Sequence, residues 1–178
     1  MALVVHDIII QILGIIGFIF GVIAYLMKRD EFLKAMVGVS AGMMAIHFFL
    51  LGSMPGMGAA GLTSIRSFCS IIGRVKPFAP IFFFMYLPLG YFTVHGWLDL
   101  VPLAAGLTGT FAMFYLKEVP MRLALLVVTT LWLVHNALHY SIGGVLLEVF
   151  IISANLWTMS RMYIEHKKNS DRPIIPNM

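Results

Sequence analysis

The chain has 178 residues, the length of one domain, with 60% hydrophobic and 11% charged residues, a mean hydropathy of +0.93 and a formal charge of +4. Soluble proteins carry roughly 45–50% apolar and about 25% charged residues, so neither a water-soluble fold nor a disordered chain fits this composition. The basic residues flank apolar stretches and form no patch, which gives no ground for a nucleic-acid partner; the single cysteine, Cys69, excludes an internal disulfide and a cysteine-based metal cluster.

A spanning helix takes about 20 mostly apolar residues. Seven segments meet that requirement: 7–27, 32–52, 56–73, 78–95, 99–116, 120–140 and 143–163. The predicted class is an all-α polytopic membrane protein, with a single seven-helix membrane domain over 1–165. The residues before Asp7 include no Lys or Arg, so the first helix is expected to be retained and not cleaved as a secretory signal. The linkers are too short to hold a soluble domain. The polar end, HKKNSDRPIIPNM at 166–178, reads as a short disordered cytoplasmic tail.

Orientation follows from Lys and Arg near the helix ends. Lys28, Arg29 and Lys34 flank the first loop, Arg74 and Lys76 the third, and Lys117 and Arg122 the fifth. Arg161, Lys167, Lys168 and Arg172 follow at the C-terminal end. Together these are 11 of the 12 basic residues. The N-terminus and loops two, four and six have none. The alternation predicts an outside N-terminus and a cytoplasmic C-terminus, which needs an odd number of helices. Reading helices 3 and 4 as one broken span would strand Arg74 and Lys76 in lipid, at about 2.5–3.5 kcal/mol each.

A shift of 88 residues lays helices 1–3 on helices 5–7. It pairs Gly21 with Gly109, Ala24 with Ala112, Val39 with Val127, His47 with His135, Leu50 with Leu138 and Gly56 with Gly144. Arg29-Asp30 and Lys34 fall on Lys117-Glu118 and Arg122. The expected architecture is therefore 3+1+3. The first parallel three-helix repeat covers 7–73, the linker helix 78–95 and the second repeat 99–163. Parallel repeats are a transporter plan with the site at the repeat interface near the midplane.

The 3+1+3 arrangement with an outside N-terminus resembles the SWEET, PQ-loop and nicotinamide-riboside transporter group. The opening QILGIIGFIFGVIAYLMKRD and the pattern of His47 and Arg66 resemble the YgjV-like family of bacterial inner-membrane proteins. That resemblance covers nearly the whole chain and implies a multi-pass protein of the bacterial inner membrane. It implies no established activity. Asn155 resembles the pocket asparagine of SWEETs. The chain has no Pro-Gln dipeptide, its helices 1, 2 and 6 lack hinge prolines, and no asparagine stands near Arg66 or Ser67, departures that argue against sugar as the substrate.

Seven residues are candidates for binding a solute. Arg66 lies about 15 Å into helix 3 at 1.5 Å per residue, where a charge faces the bundle interior. It is read either as a binding group for an anionic or carbonyl-rich solute, or as a structural partner of Glu148 or of backbone carbonyls. Glu148 and Asn155, seven residues apart on helix 7, share a stripe facing the interior. His47 and His135 sit at equal depth in helices 2 and 6, and are read either as proton-coupling groups, since histidine titrates near neutrality, or as makers of structural hydrogen bonds between helices. Trp132, His135, Asn136 and His139 form one polar-aromatic face, fit either to line a cavity or to hydrogen-bond between helices. Ser64, Ser67 and Ser70 form a small-residue stripe for close helix packing. No nucleophile stands beside a general base, so no enzyme is expected, nor any cofactor or metal site.

Two functions follow. The first is a small-solute transporter or facilitator with its site between the repeats, with the lipid bilayer, a small polar or anionic solute and a second copy of the chain as expected partners. The alternative is a non-transporting structural or accessory membrane protein that binds lipid or a membrane partner. A cavity touching Arg66 and Asn155 favours the first; a dry, packed centre favours the second.

Overall fold

In the computed structural model, which describes residues 2–26, 30–72, 79–116 and 118–170, the described residues form seven α-helices. They are α1 (Ala2–Leu26), α2 (Asp30–Leu50), α3 (Met54–Ile72), α4 (Ala79–Thr93), α5 (Leu100–Tyr115), α6 (Glu118–Leu138) and α7 (Ile142–Ser170). Lys28, Arg29, Arg74, Lys76, Lys117 and Arg172, and the side chains of Lys167 and Lys168, lie outside what is described. α1, α6 and α7 hold windows long and apolar enough to cross a membrane: Asp7–Ala24, Val119–Leu138 and Ile142–Arg161. α2, α4 and α5 contribute shorter apolar stretches. α3 is diluted by Arg66, its serines and its glycines.

The helices meet the expected bounds closely, apart from two ends. α7 runs on to Ser170, into the stretch expected to be tail, because no proline or glycine interrupts it before Pro173. α1 begins at Ala2, ahead of Asp7.

The helices close a ring. α1 packs on α2, α2 on α3, α3 on α5, α5 on α6, α6 on α7, and α7 returns to α1. α4 stands outside the ring against α5 and α3. Its Phe84, Leu87, Tyr91 and Phe92 are exposed, as lipid-facing side chains are. In a bilayer, apolar side chains gain little by leaving lipid, so helices associate through small residues and polar contacts. The Gly14, Gly17 and Gly21 stripe of α1 shows this: Gly14 faces the His47 ring, Gly17 faces Met44, and Gly21 faces Ser40 and Leu147. At the α1–α7 seam, Gly143 lies so close to the backbone of Gly14 and Ile15 that it has no room for a Cβ.

The α2–α3 and α6–α7 turns share one construction. Gly52 (φ +77°) and Tyr140 (φ +52°) both take the left-handed conformation. The following amides reach back five residues: Ser53 N donates to Phe48 O at 2.9 Å, and Ser141 N to Asn136 O at 2.9 Å. This is the Schellman ending of a helix. Each serine then caps the next helix, its Oγ accepting from Gly56 N at 3.3 Å and from Gly144 N at 3.2 Å. One residue thus ends one helix and starts another. Gln11 of α1 braces the second turn, donating to Tyr140 O and accepting from Ile142 N.

A cavity between the helix triplets

His47 and His135 lie wholly buried near the ends of α2 and α6. His47 Nδ1 stands 2.8 Å from Ile10 O of α1, so it carries the proton and donates. Its Nε2 is therefore the acceptor for the Ser141 hydroxyl at 2.7 Å. The Ser53 hydroxyl stands 3.1 Å from His135 Nε2. His47 of α2 thus reaches the serine of the α6–α7 turn, and His135 of α6 the serine of the α2–α3 turn. The rings fit because Gly14 and Gly56 have no Cβ to block them. A hydroxyl beside an imidazole also occurs at acyl-transfer sites. Here both partners are sealed from solvent and each Oγ already holds a backbone amide, so the arrangement fastens helices. Of the two readings open for the histidines, the geometry is that of interhelical hydrogen bonding.

Arg66 does not meet Glu148. Its Nη1 donates to Thr110 Oγ1 of α5 at 2.8 Å, and Thr110 in turn donates to Gly106 O at 2.8 Å. The Tyr86 hydroxyl of α4 lies beside Arg66, Thr63 and Thr110, seated on Gly106. Arg66 therefore belongs to the α3–α4–α5 contact. A buried ion pair that loses one partner costs about 3–5 kcal/mol, whereas a hydrogen bond to a charged group contributes about 1.5–3 kcal/mol. Arg66→Gln is accordingly expected to leave a folded protein that is less stable by the smaller amount. Thermal unfolding of Arg66→Gln checks this; a loss as large as that of a broken buried pair would mean that Arg66 has a carboxylate partner.

The remaining candidates converge on a cavity of about 200 Å³. Its wall is built from α1 (Gly21), α2 (Ser40, Met44, Phe48), α3 (Ala60, Thr63), α6 (Thr129, Trp132, Asn136) and α7 (Leu147, Glu148, Asn155), with further apolar residues between them. Trp132, Asn136, Glu148 and Asn155 are in the wall; Arg66, His47 and His135 are not. The expected common space is thus divided, with the acid and the amides in the cavity and the arginine behind α3. Thr63 touches both parts.

The wall's polar groups are unevenly engaged. The hydroxyls of Ser40, Thr63 and Thr129 donate to backbone carbonyls. Asn155 Oδ1 accepts from Arg122 Nη1 at 3.2 Å, while its buried Nδ2 has no partner. Asn136 Nδ2 donates to Trp132 O at 2.9 Å, while its buried Oδ1 has none and lies against Gly144. Glu148 is 8% exposed and has no hydrogen bond or ion pair among the described residues. Phe48 and Trp132 stack at 5.6 Å with their planes 14° apart. Among the described residues no three His, Cys, Asp or Glu side chains group to hold a metal ion.

Ser53 and Ser141 carry contacts that the linear pattern does not announce, since a serine after a helix end reads as a cap alone. Tyr86 hides among the other aromatic residues of α4. Arg122 reads as a loop cation, although its guanidinium holds Asn155.

Apolar helices of spanning length, lipid-facing side chains outside and polar groups turned inward define a multi-pass membrane protein. Residues 8–166 match the family Imp-YgjV, described as bacterial inner membrane protein, and the chain belongs to that family. A curated relative, Inner membrane protein YgjV of Escherichia coli (strain K12), is 27% identical over 161 residues, covering 90% of this chain and 88% of the relative. No solved structure matches.

Proposed function

We propose that this inner membrane protein is a transporter or facilitator of a small solute. Its site lies between two parallel three-helix repeats, α1–α3 and α5–α7, with α4 as the linker. The cavity carries the reading: it lies between the two triplets and holds an unpartnered carboxyl and an unpartnered amide donor. A purely structural bundle has no use for such groups, which cost free energy when buried without partners.

Three observations support the repeat. The ring order maps onto itself when α1, α2 and α3 are exchanged for α5, α6 and α7. Ser53 and Ser141 add a further identity at the 88-residue shift, inside turns of the same construction. The His–Ser bonds cross between triplets in both directions. This 3+1+3 plan is the one in which the chain resembles the SWEET and PQ-loop transporters. The N-terminus is outside in this reading, so the His–Ser contacts lie at the outer face and Arg122 at the cytoplasmic side.

Two experiments test the proposal. Reporter fusions are expected to place residue 178 in the cytoplasm and the loop at His95–Trp97 outside; a cytoplasmic signal from that loop overturns the topology. A thermal-shift screen of small metabolites on the purified protein is expected to give ligands whose effect disappears when Ala41 of α2, an alanine in the cavity wall, is enlarged by Ala41→Phe to fill the space. Uptake of such a ligand into proteoliposomes completes the test. A ligand that binds through the cavity but is never taken up would speak for the accessory role.

A further inference from the structure

We infer that the cavity takes a small organic ammonium ion, with its charge against Glu148. The inference rests on reading the cavity as the solute site and names the chemistry of that solute. It replaces the anionic solute expected while Arg66 was the presumed binding group.

The argument begins with the carboxyl. Glu148 faces the cavity from the second turn of α7, is almost wholly buried, and meets no donor or cation among the described residues. An ionised carboxylate in such a place is costly unless a cation meets it. The protein's own nearby cations are committed elsewhere. Arg66 bonds Thr110 outside the cavity, and Arg122 bonds Asn155, about 10 Å further along α7 at 1.5 Å per residue. A ligand that brings its own cation would let this carboxyl ionise and would be held by it.

The wall selects the kind of cation. A hard metal ion takes six or more oxygen ligands; this wall offers one carboxyl and the unpartnered Asn136 Oδ1. Its three hydroxyls are bonded to backbone carbonyls and Asn155 Oδ1 to Arg122, and the rest of the wall is apolar or aromatic. The stacked Phe48 and Trp132 rings suit an alkylated ammonium, which gains from aromatic faces and apolar contact as well as from charge. The size sets the scale. A cavity of about 200 Å³ is smaller than the roughly 300–1,000 Å³ of drug-sized sites, so the ligand has few heavy atoms. At the far end, the free Nδ2 of Asn155 donates, so an acceptor oxygen on the ligand adds to the binding.

Trp132 makes the test direct. Trp97 and Trp157 are exposed, so replacing both by phenylalanine leaves Trp132 as the fluorescent reporter in the wall. The full-length protein in phosphatidylcholine nanodiscs is titrated with n-pentylamine hydrochloride, 1-pentanol and sodium pentanoate, which share a chain and differ in charge. The expected result is a saturable Trp132 response to pentylammonium alone. Glu148→Gln is expected to weaken it by about tenfold or more, and Ala41→Phe to remove it. 5-Amino-1-pentanol is expected to bind more tightly than pentylamine, and Asn155→Ala to erase the difference. Circular dichroism and gel filtration show whether Glu148→Gln folds; if it does not, the comparison of the three probes on the unaltered site decides. Equal saturation by pentanol, an unchanged response in Glu148→Gln, or no saturation by pentylammonium overturns the inference. Saturation by pentanoate alone overturns it too, yet leaves a solute site between the triplets standing. A cavity-dependent metabolite hit that is not an amine has the same meaning.

Discussion

Replacing Gly143 by leucine is expected to break the ring at its α1–α7 seam. A Cβ at this position would overlap the Gly14 carbonyl and the Ile15 amide. Those atoms are backbone, held in the hydrogen-bond ladder of α1, and cannot rotate aside as a side-chain tip can. Overpacking an ordinary core costs about 1–3 kcal/mol; here two helices must separate, so the cost is expected to exceed that range. Separation also removes the brace that Gln11 places on the α6–α7 turn and draws His47 away from Ser141. Gel filtration in detergent and thermal unfolding check the effect, with Gly61→Ala as the control, since a Cβ at Gly61 meets nothing within 4 Å. A Gly143→Leu protein as stable as the wild type would show that the seam does not hold the ring.

The bounds of the helices were legible because membrane spans announce themselves by length and hydropathy. Their rotation about their own axes was not. In a soluble helix the apolar stripe marks the inner face, but in lipid the outer face is equally apolar. The depth of Arg66 could be counted along α3, yet the count does not say whether its guanidinium turns toward α7 or toward α5. It turns to Thr110 of α5 because the chain there offers a hydroxyl and a Tyr86 ring seated on Gly106. Glu148 and Asn155 were legible as one stripe, seven residues apart, and both do line the cavity. His47 and His135 were legible as an equivalent pair. Their partners stand at the same shift, in turns too short for any pattern of hydropathy to describe.

The two histidines are also where single side chains are expected to have the largest measurable coupling. His47 is wholly buried, bonded to Ile10 O and Ser141 Oγ, and tilted against Phe48 at 5.7 Å. His47→Ala therefore removes two hydrogen bonds and packed volume together, and leaves the Ser141 hydroxyl with no acceptor. An orphaned buried polar group costs about 1–3 kcal/mol before the cavity is counted. Ser141→Ala also removes the helix cap, an effect of about 1 kcal/mol, so single substitutions mix several terms. A double-mutant cycle separates them. Groups in direct contact couple by about 0.5–3 kcal/mol, whereas sites far apart add within about 0.3–0.5 kcal/mol. Coupling in that larger range is expected between His47 and Ser141, and between His135 and Ser53, the second weaker because its contact is 3.1 Å against 2.7 Å. The cross pairs, His47 with Ser53 and His135 with Ser141, are expected to be additive. Urea or thermal unfolding of the four cycles in one detergent gives the values. Coupling of each histidine to the serine of its own triplet would mean that the two halves do not exchange contacts and that the fastening at this end of the ring is local.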